Sequence, residues 1–177
     1  MSINYAKNVG LVKMPPQVEI GGITYRTVQV NGLVWIAEDL KNDVGTYSVR
    51  DGKHYYKMNN STGPIDAILP TGWRRAVQAD YENLAGYYAG HLEKLCSTSG
   101  WNGIGTNESG LNFEQTGIYP QNSKVNPDNA EYSLSTVNGY AYYFAISGSS
   151  IISGTHTISN WAYQAFGYSA IRCCRNA

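Results

Sequence analysis

Two dipeptides near the amino end constrain the fold more than anything else in the chain. Gly21-Gly22 and Asn31-Gly32 separate three short runs of alternating character, Gln17 to Ile20, Ile23 to Val30 and Leu33 to Ala37. Both dipeptides tolerate the positive φ angles of two-residue hairpin turns, so the segment reads as a three-stranded antiparallel meander. Alternation along the second run sets Arg26, Val28 and Val30 on one face and Tyr25, Thr27 and Gln29 on the other, as expected of a sheet with one buried side.

Helical periodicity comes later. Val77, Tyr81, Leu84 and Tyr88 recur at steps of four, three and four and form one stripe of an amphipathic helix. Leu92, Leu95 and Cys96 predict a further helical turn over His91 to Cys96, behind the breaker Gly90. Between meander and helix, Asn42 to Pro70 is polar and reads as a long loop with short strands. Beyond Cys96 the chain reads as turns and strands, with Tyr140 to Ile146 and Tyr168 to Cys173 as the best late strands. This order of elements predicts one α+β domain over residues 17 to 177. Residues 1 to 16 end in Met14, Pro15 and Pro16 and read as an extended arm for attachment or oligomerisation.

Composition narrows the function. Thirteen Lys and Arg balance thirteen Asp and Glu, so no overall field draws the chain to nucleic acid or to an anionic membrane. Charged residues make up 15%, against about 25% on average, while Tyr reaches 15 and Gly 19. Tyr, Ser, Gly and Asn are the residues of adaptable binding surfaces, because a Tyr ring gives a large, rigid, amphipathic contact at low entropic cost. The longest apolar run, Tyr140 to Ile146, falls far short of the about 20 residues of a membrane span, and Met1 to Met14 lacks the pattern of a secretory signal.

Catalytic patterns are sparse. His54, His91 and His156 stand without partners at metal spacing, and no phosphate loop or Gly-x-Ser-x-Gly elbow occurs, so the expectation is a non-enzyme without a cofactor. Cys96, Cys173 and Cys174 are too few for a disulfide scaffold. Adjacent Cys173 and Cys174 on a strand would point to opposite faces, one buried and the other free or paired with Cys96.

Four segments together resemble one family. They are Tyr25-Arg26-Thr27-Val28 with Gly32 and Val34-Trp35-Ile36-Ala37-Glu38-Asp39-Leu40; Pro70-Thr71-Gly72-Trp73-Arg74 with Asp80-Tyr81-Glu82-Asn83-Leu84; Trp101, Thr106-Asn107 and Ser109-Gly110-Leu111-Asn112; and Gly167 to Cys173. The set resembles the Fibrobacter succinogenes major paralogous domain, found in surface proteins of gut and rumen bacteria, over roughly residues 19 to 175. Asp39 stands where the family usually has Asn, and Tyr81 where it more often has Trp. Leu69 replaces a Cys that in the family often bridges to the closing Cys, so that bridge cannot form here.

The resemblance implies a C-type-lectin-like fold, in which a small antiparallel framework sheet with one or two short helices carries long loops. Related scaffolds include the variable proteins of diversity-generating retroelements, which remodel a binding face near the carboxyl end. The corresponding ligand-binding residues here are Tyr132, Tyr140, Tyr143, Asn160, Trp161, Tyr163, Gln164 and Tyr168, with Tyr142 and Phe144 assigned rather to the core. The implied partner is a bacterial cell-surface glycan or protein, met outside the cell by a phage receptor-binding or fibre component or by a bacterial surface protein. An alternative role is structural, as a homo-oligomer, with a trimer as one form, in a virion or surface fibre. A calcium-dependent lectin is a lesser alternative, with Asn126, Asp128 and Glu131 as oxygen ligands around Pro127. Asn-Pro-Asp is also an ordinary turn, and the usual Trp-Asn-Asp partner is absent because Ser159-Asn160-Trp161 offers no carboxylate.

Overall fold

A computed structural model describes residues 16–117, 127–137, 140–146, 157–161 and 168–177. In chain order the strands are β1 (Gln17–Ile20), β2 (Ile23–Val30), β3 (Leu33–Ile36), β4 (Tyr47–Arg50), β5 (Lys53–Lys57), β6 (Arg74–Arg75), β7 (Ala130–Val137), β8 (Tyr140–Ile146), β9 (Thr157–Trp161), β10 (Tyr168–Ser169) and β11 (Cys173–Asn176). Helix α1 (Met58–Ile68) follows β5, helix α2 (Gln78–Tyr87) follows β6, and 3-10 turns cover Leu92–Lys94 and Trp101–Gly103.

The meander forms as its turn residues require. Ile20 pairs with Ile23 and Val30 with Leu33, leaving two-residue turns in which Gly21, Gly22, Asn31 and Gly32 have φ of 51°, 82°, 43° and 80°. Positive φ at both central positions matches the right-handed twist of the strands they join. Strand pairing already begins at Pro16, whose carbonyl accepts from the Thr27 amide at 2.7 Å. Met1 to Pro15, all but the last residue of the arm expected from the sequence, lie outside the described residues.

β11 returns from the far end of the chain to pair antiparallel with β3, and β6 closes the sheet in the order β1-β2-β3-β11-β6. Two smaller antiparallel sheets have the orders β10-β5-β4 and β7-β8-β9. Both faces of the main sheet are covered, which corrects the expectation of one buried side. Val30, Leu33, Trp35 and Cys174 pack with Tyr81, Leu84 and Ala85 of α2 and with Tyr132, Phe144 and Ile146 of the β7-β8-β9 sheet. On the other face Tyr25, Ile36 and Cys173 pack with Tyr56 of β5 and Ile65 of α1. All four residues of β3 are buried for this reason.

Other expectations change in the same way. α2 forms where the stripe predicts, burying Tyr81 and Leu84, but Val77 caps its start and is exposed. α1 occupies part of the stretch read as a loop. The run Tyr168 to Cys173 divides between two sheets: Tyr168 and Ser169 pair with β5, and pairing with β3 and β6 resumes at β11. Cys173 and Cys174 do face opposite ways, but both are buried, as is Cys96, and all three are free thiols.

Candidate binding face and the framework that holds it

The candidate face centres on β7-β8-β9. β8 is the middle strand, with Tyr132 level with Phe144, Ser133 with Tyr143, and Ala141 with Trp161. Tyr143 is level with both Ser133 and Ser159, so β8 lies paired on both edges at that point. The register shifts between Ser133 and Ser135, a bulge that re-aims the strand end.

The predicted site residues divide accordingly. Tyr132 is removed from the face, because it is fully buried and packs between Tyr81 (ring centroids 5.9 Å) and Phe113 (4.9 Å) in the aromatic core. Phe144 stacks on Tyr81 at 4.6 Å, as its assignment to the core expects. Tyr140 starts β8 opposite Val137, and Asn160 stands opposite Tyr142. Tyr143 stands opposite Ser159, and Trp161 opposite Ala141, two positions along the same pair of strands. Tyr168 is half-buried, one sheet away, paired with Lys57 of β5. Tyr163 and Gln164 lie outside the described residues, as does Asn126. Asp128 is exposed, and its carbonyl accepts from the Gln115 side-chain amide at 3.0 Å; Glu131 pairs by backbone with Ala145.

Beside the buried Tyr132 of this sheet lies Arg172, a residue of the closing motif to which the sequence reading assigns no role. The side chain is 1% exposed. Its Nε donates to Asp39 at 2.6 Å, Nη1 donates to the carbonyls of Ile36 (3.2 Å) and Leu111 (2.7 Å), and Nη2 donates to that of Asn112 (3.1 Å). The guanidinium also lies 4.9 Å from the centre of the Phe113 ring and 5.4 Å from that of Tyr132. Burial is the largest influence and opposes its charge, but Asp39 and the neighbouring Tyr132 and Tyr81 together outweigh it and raise the pKa. The Arg172 carbonyl accepts from the Ala76 amide at 2.9 Å. Thus the first and third motif segments meet at this residue of the closing one, and its carbonyl holds Ala76, between the two parts of the second. A lone Arg inside Ala170-Ile171-Arg172-Cys173-Cys174 was the available signal, since a charge in an apolar strand must find a partner.

Ionisable side chains elsewhere are engaged in structure. Arg74 grips Asp80 through two nitrogens, one bond at 2.7 Å, and Asp80 also accepts the Val77 amide at 2.8 Å, capping α2. Burial alone would raise the Asp80 pKa, but Arg74 and the Val77 amide together lower it. His54 bonds Asp43 at 2.9 Å and stacks on Tyr47, and His91 sits 3.1 Å from Glu93; His156 lies outside the described residues. Burial pushes the Cys96 and Cys173 thiols up to about 12 and that of Cys174 higher, so none is a thiolate at neutral pH. Leu69 packs against the same apolar cluster as Cys173.

Comparison of the chain with protein-family profiles, with curated proteins and with solved structures found no match.

Proposed function

We propose that this chain is a non-enzymatic binding module of C-type-lectin-like type, which engages a glycan or protein on a bacterial surface through the β8–β9 pair. The observation that carries this reading is the backbone pairing of β8 and β9, which brings Tyr143 level with Ser159 and Trp161 level with Ala141 two positions away, in a sheet whose β7 and β8 also supply Tyr132 and Phe144 to the core around Arg172. A recognition surface needs aromatic and hydroxyl-bearing groups at fixed spacing on a scaffold that does not yield. The buried, protonated thiols and the structural engagement of the described histidines also favour binding over covalent chemistry. In this reading the module is the receptor-binding part of a phage fibre or of a bacterial surface protein.

The test is a bacterial glycan array probed with wild-type protein, Tyr143→Ala and Trp161→Ala, each with and without a calcium chelator. The expected result is binding by wild type that survives chelation and falls at least about tenfold in each variant, as for truncating an aromatic hot spot. Binding that vanishes on chelation moves the site to Asp128 and its neighbours, and unchanged binding by both variants rejects this face.

A further inference from the structure

A separate cleft of about 350 Å³, with no residue of β7, β8 or β9 in its lining, lies between the segment after β3, the β4–β5 turn, Asn112 and Glu114. Its volume is at the small end of ligand sites, which run from about 300 to 1,000 Å³. Its walls are charged. On one side Arg26 and Lys41 share a single carboxylate, Glu38, with Arg26 Nε 3.5 Å from Oε1 and Lys41 Nζ on Oε2. Across the cleft Lys53 meets Glu114 Oε2 at 2.7 Å, while the Asn112 amide donates to Glu114 Oε1 at 3.2 Å. The Arg172–Asp39 pair closes the floor.

The balance of hydrogen-bonding capacity indicates what fits. Both oxygens of Glu38 and both of Glu114 already accept from a cation or an amide. The Lys41 bond, opposed by burial and aided by Arg26, holds the Glu38 carboxyl below its usual range, so it stays an ionised partner to both cations. Each lysine ammonium carries three donors and Arg26 carries five, and each spends one on its carboxylate among the described residues. Arg26 and Lys41 are about half exposed, so their spare donors face the opening. These two half-exposed cations are the donors nearest the solvent, and they favour an anionic oxygen group there. Four carboxylates on the same walls, counting Asp39 and Asp51, oppose any ligand of high negative charge, and so many charged groups oppose an apolar one.

We propose that this cleft binds a small hydroxylated carboxylate, its carboxylate between Arg26 and Lys41 and its hydroxyls toward Lys53 and Asn112. This site is independent of the β8–β9 face. Gluconate and sorbitol are matched probes, since they share a hydroxylated chain and differ by a carboxylate in place of a terminal alcohol; inorganic phosphate tests anion binding alone. Each is titrated into ¹⁵N-labelled full-length protein while backbone amides are followed. Gluconate is expected to shift the amides of Gly52, Lys53 and Asn112 saturably and to leave those of Tyr143 and Trp161 still. Lys41→Met and Lys53→Met are each expected to weaken it about fivefold, with the undisturbed remainder of the spectrum reporting an intact fold. Equal shifts with sorbitol, equal shifts with phosphate, no shifts at the cleft, or unchanged affinity in both variants would each overturn the proposal.

Discussion

Arg172 shows how a single buried charge can organise a chain otherwise poor in charge. Four hydrogen bonds and two aromatic rings surround the guanidinium, so its desolvation is offset by groups from three distant segments. Arg172→Met leaves Asp39 nearly buried and unpaired and orphans three carbonyls. We expect a loss of about 3–5 kcal/mol in urea unfolding, with Arg172→Lys recovering only part, because an ammonium cannot reproduce the guanidinium fork. Equal stability of Arg172→Met and wild type would refute the hub. Asp80 gives a pH dependence with a definite sign. Its folded-state pKa is depressed, so its contribution is fully present above the unfolded value of about 3.9 and is lost as pH falls through the lower folded value. The melting temperature should therefore drop on acidification below about pH 4, and Asp80→Asn should lower it at pH 7 and flatten that acid limb.

Among the elements, the meander and α2 are legible because local chemistry decides them: αL-tolerant dipeptides fix the turns, and a three-four spacing fixes the helical stripe. α1 is not legible. Its sequence begins Met-Asn-Asn-Ser-Thr-Gly-Pro, nearly all weak helix formers, with Pro64 inside the helix. Packing of Ile65 and Ile68 against the main sheet overrides that propensity. Since Pro64 withholds an intrahelical hydrogen bond, Pro64→Ala should raise stability by about 1–2 kcal/mol after allowance for the more flexible unfolded chain. A lower melting temperature in that variant would show the proline ring to be part of the packing. Tyr132 was misplaced for a related reason. Aromatic content marks both cores and binding faces, and only the position of β7 against α2 decides between them. The division of Tyr168 to Cys173 between two sheets likewise depends on tertiary pairing that no periodicity encodes.

For the whole molecule, the α+β class follows from the succession of patterns, whereas the double coverage of the main sheet does not. That coverage depends on β11 inserting between β3 and β6, a contact between the two ends of the chain. It also explains why adjacent Cys173 and Cys174 are both buried. All three thiols should resist a thiol-specific reagent in the native protein and react fully in urea, and fast labelling without denaturant would contradict the packing of β11. The sequence offers the candidate face as a class of residues and not as a geometry: pairing of β8 with β9 sets the spacing of Tyr143 and Trp161, and burial removes Tyr132. The most direct measurement of the central claim is the binding isotherm of wild-type and Trp161→Ala protein on intact gut-bacterial cells, taken alongside their melting temperatures. The account predicts saturable binding by wild type, lost in Trp161→Ala at an unchanged melting temperature. Equal binding by the two proteins would contradict it.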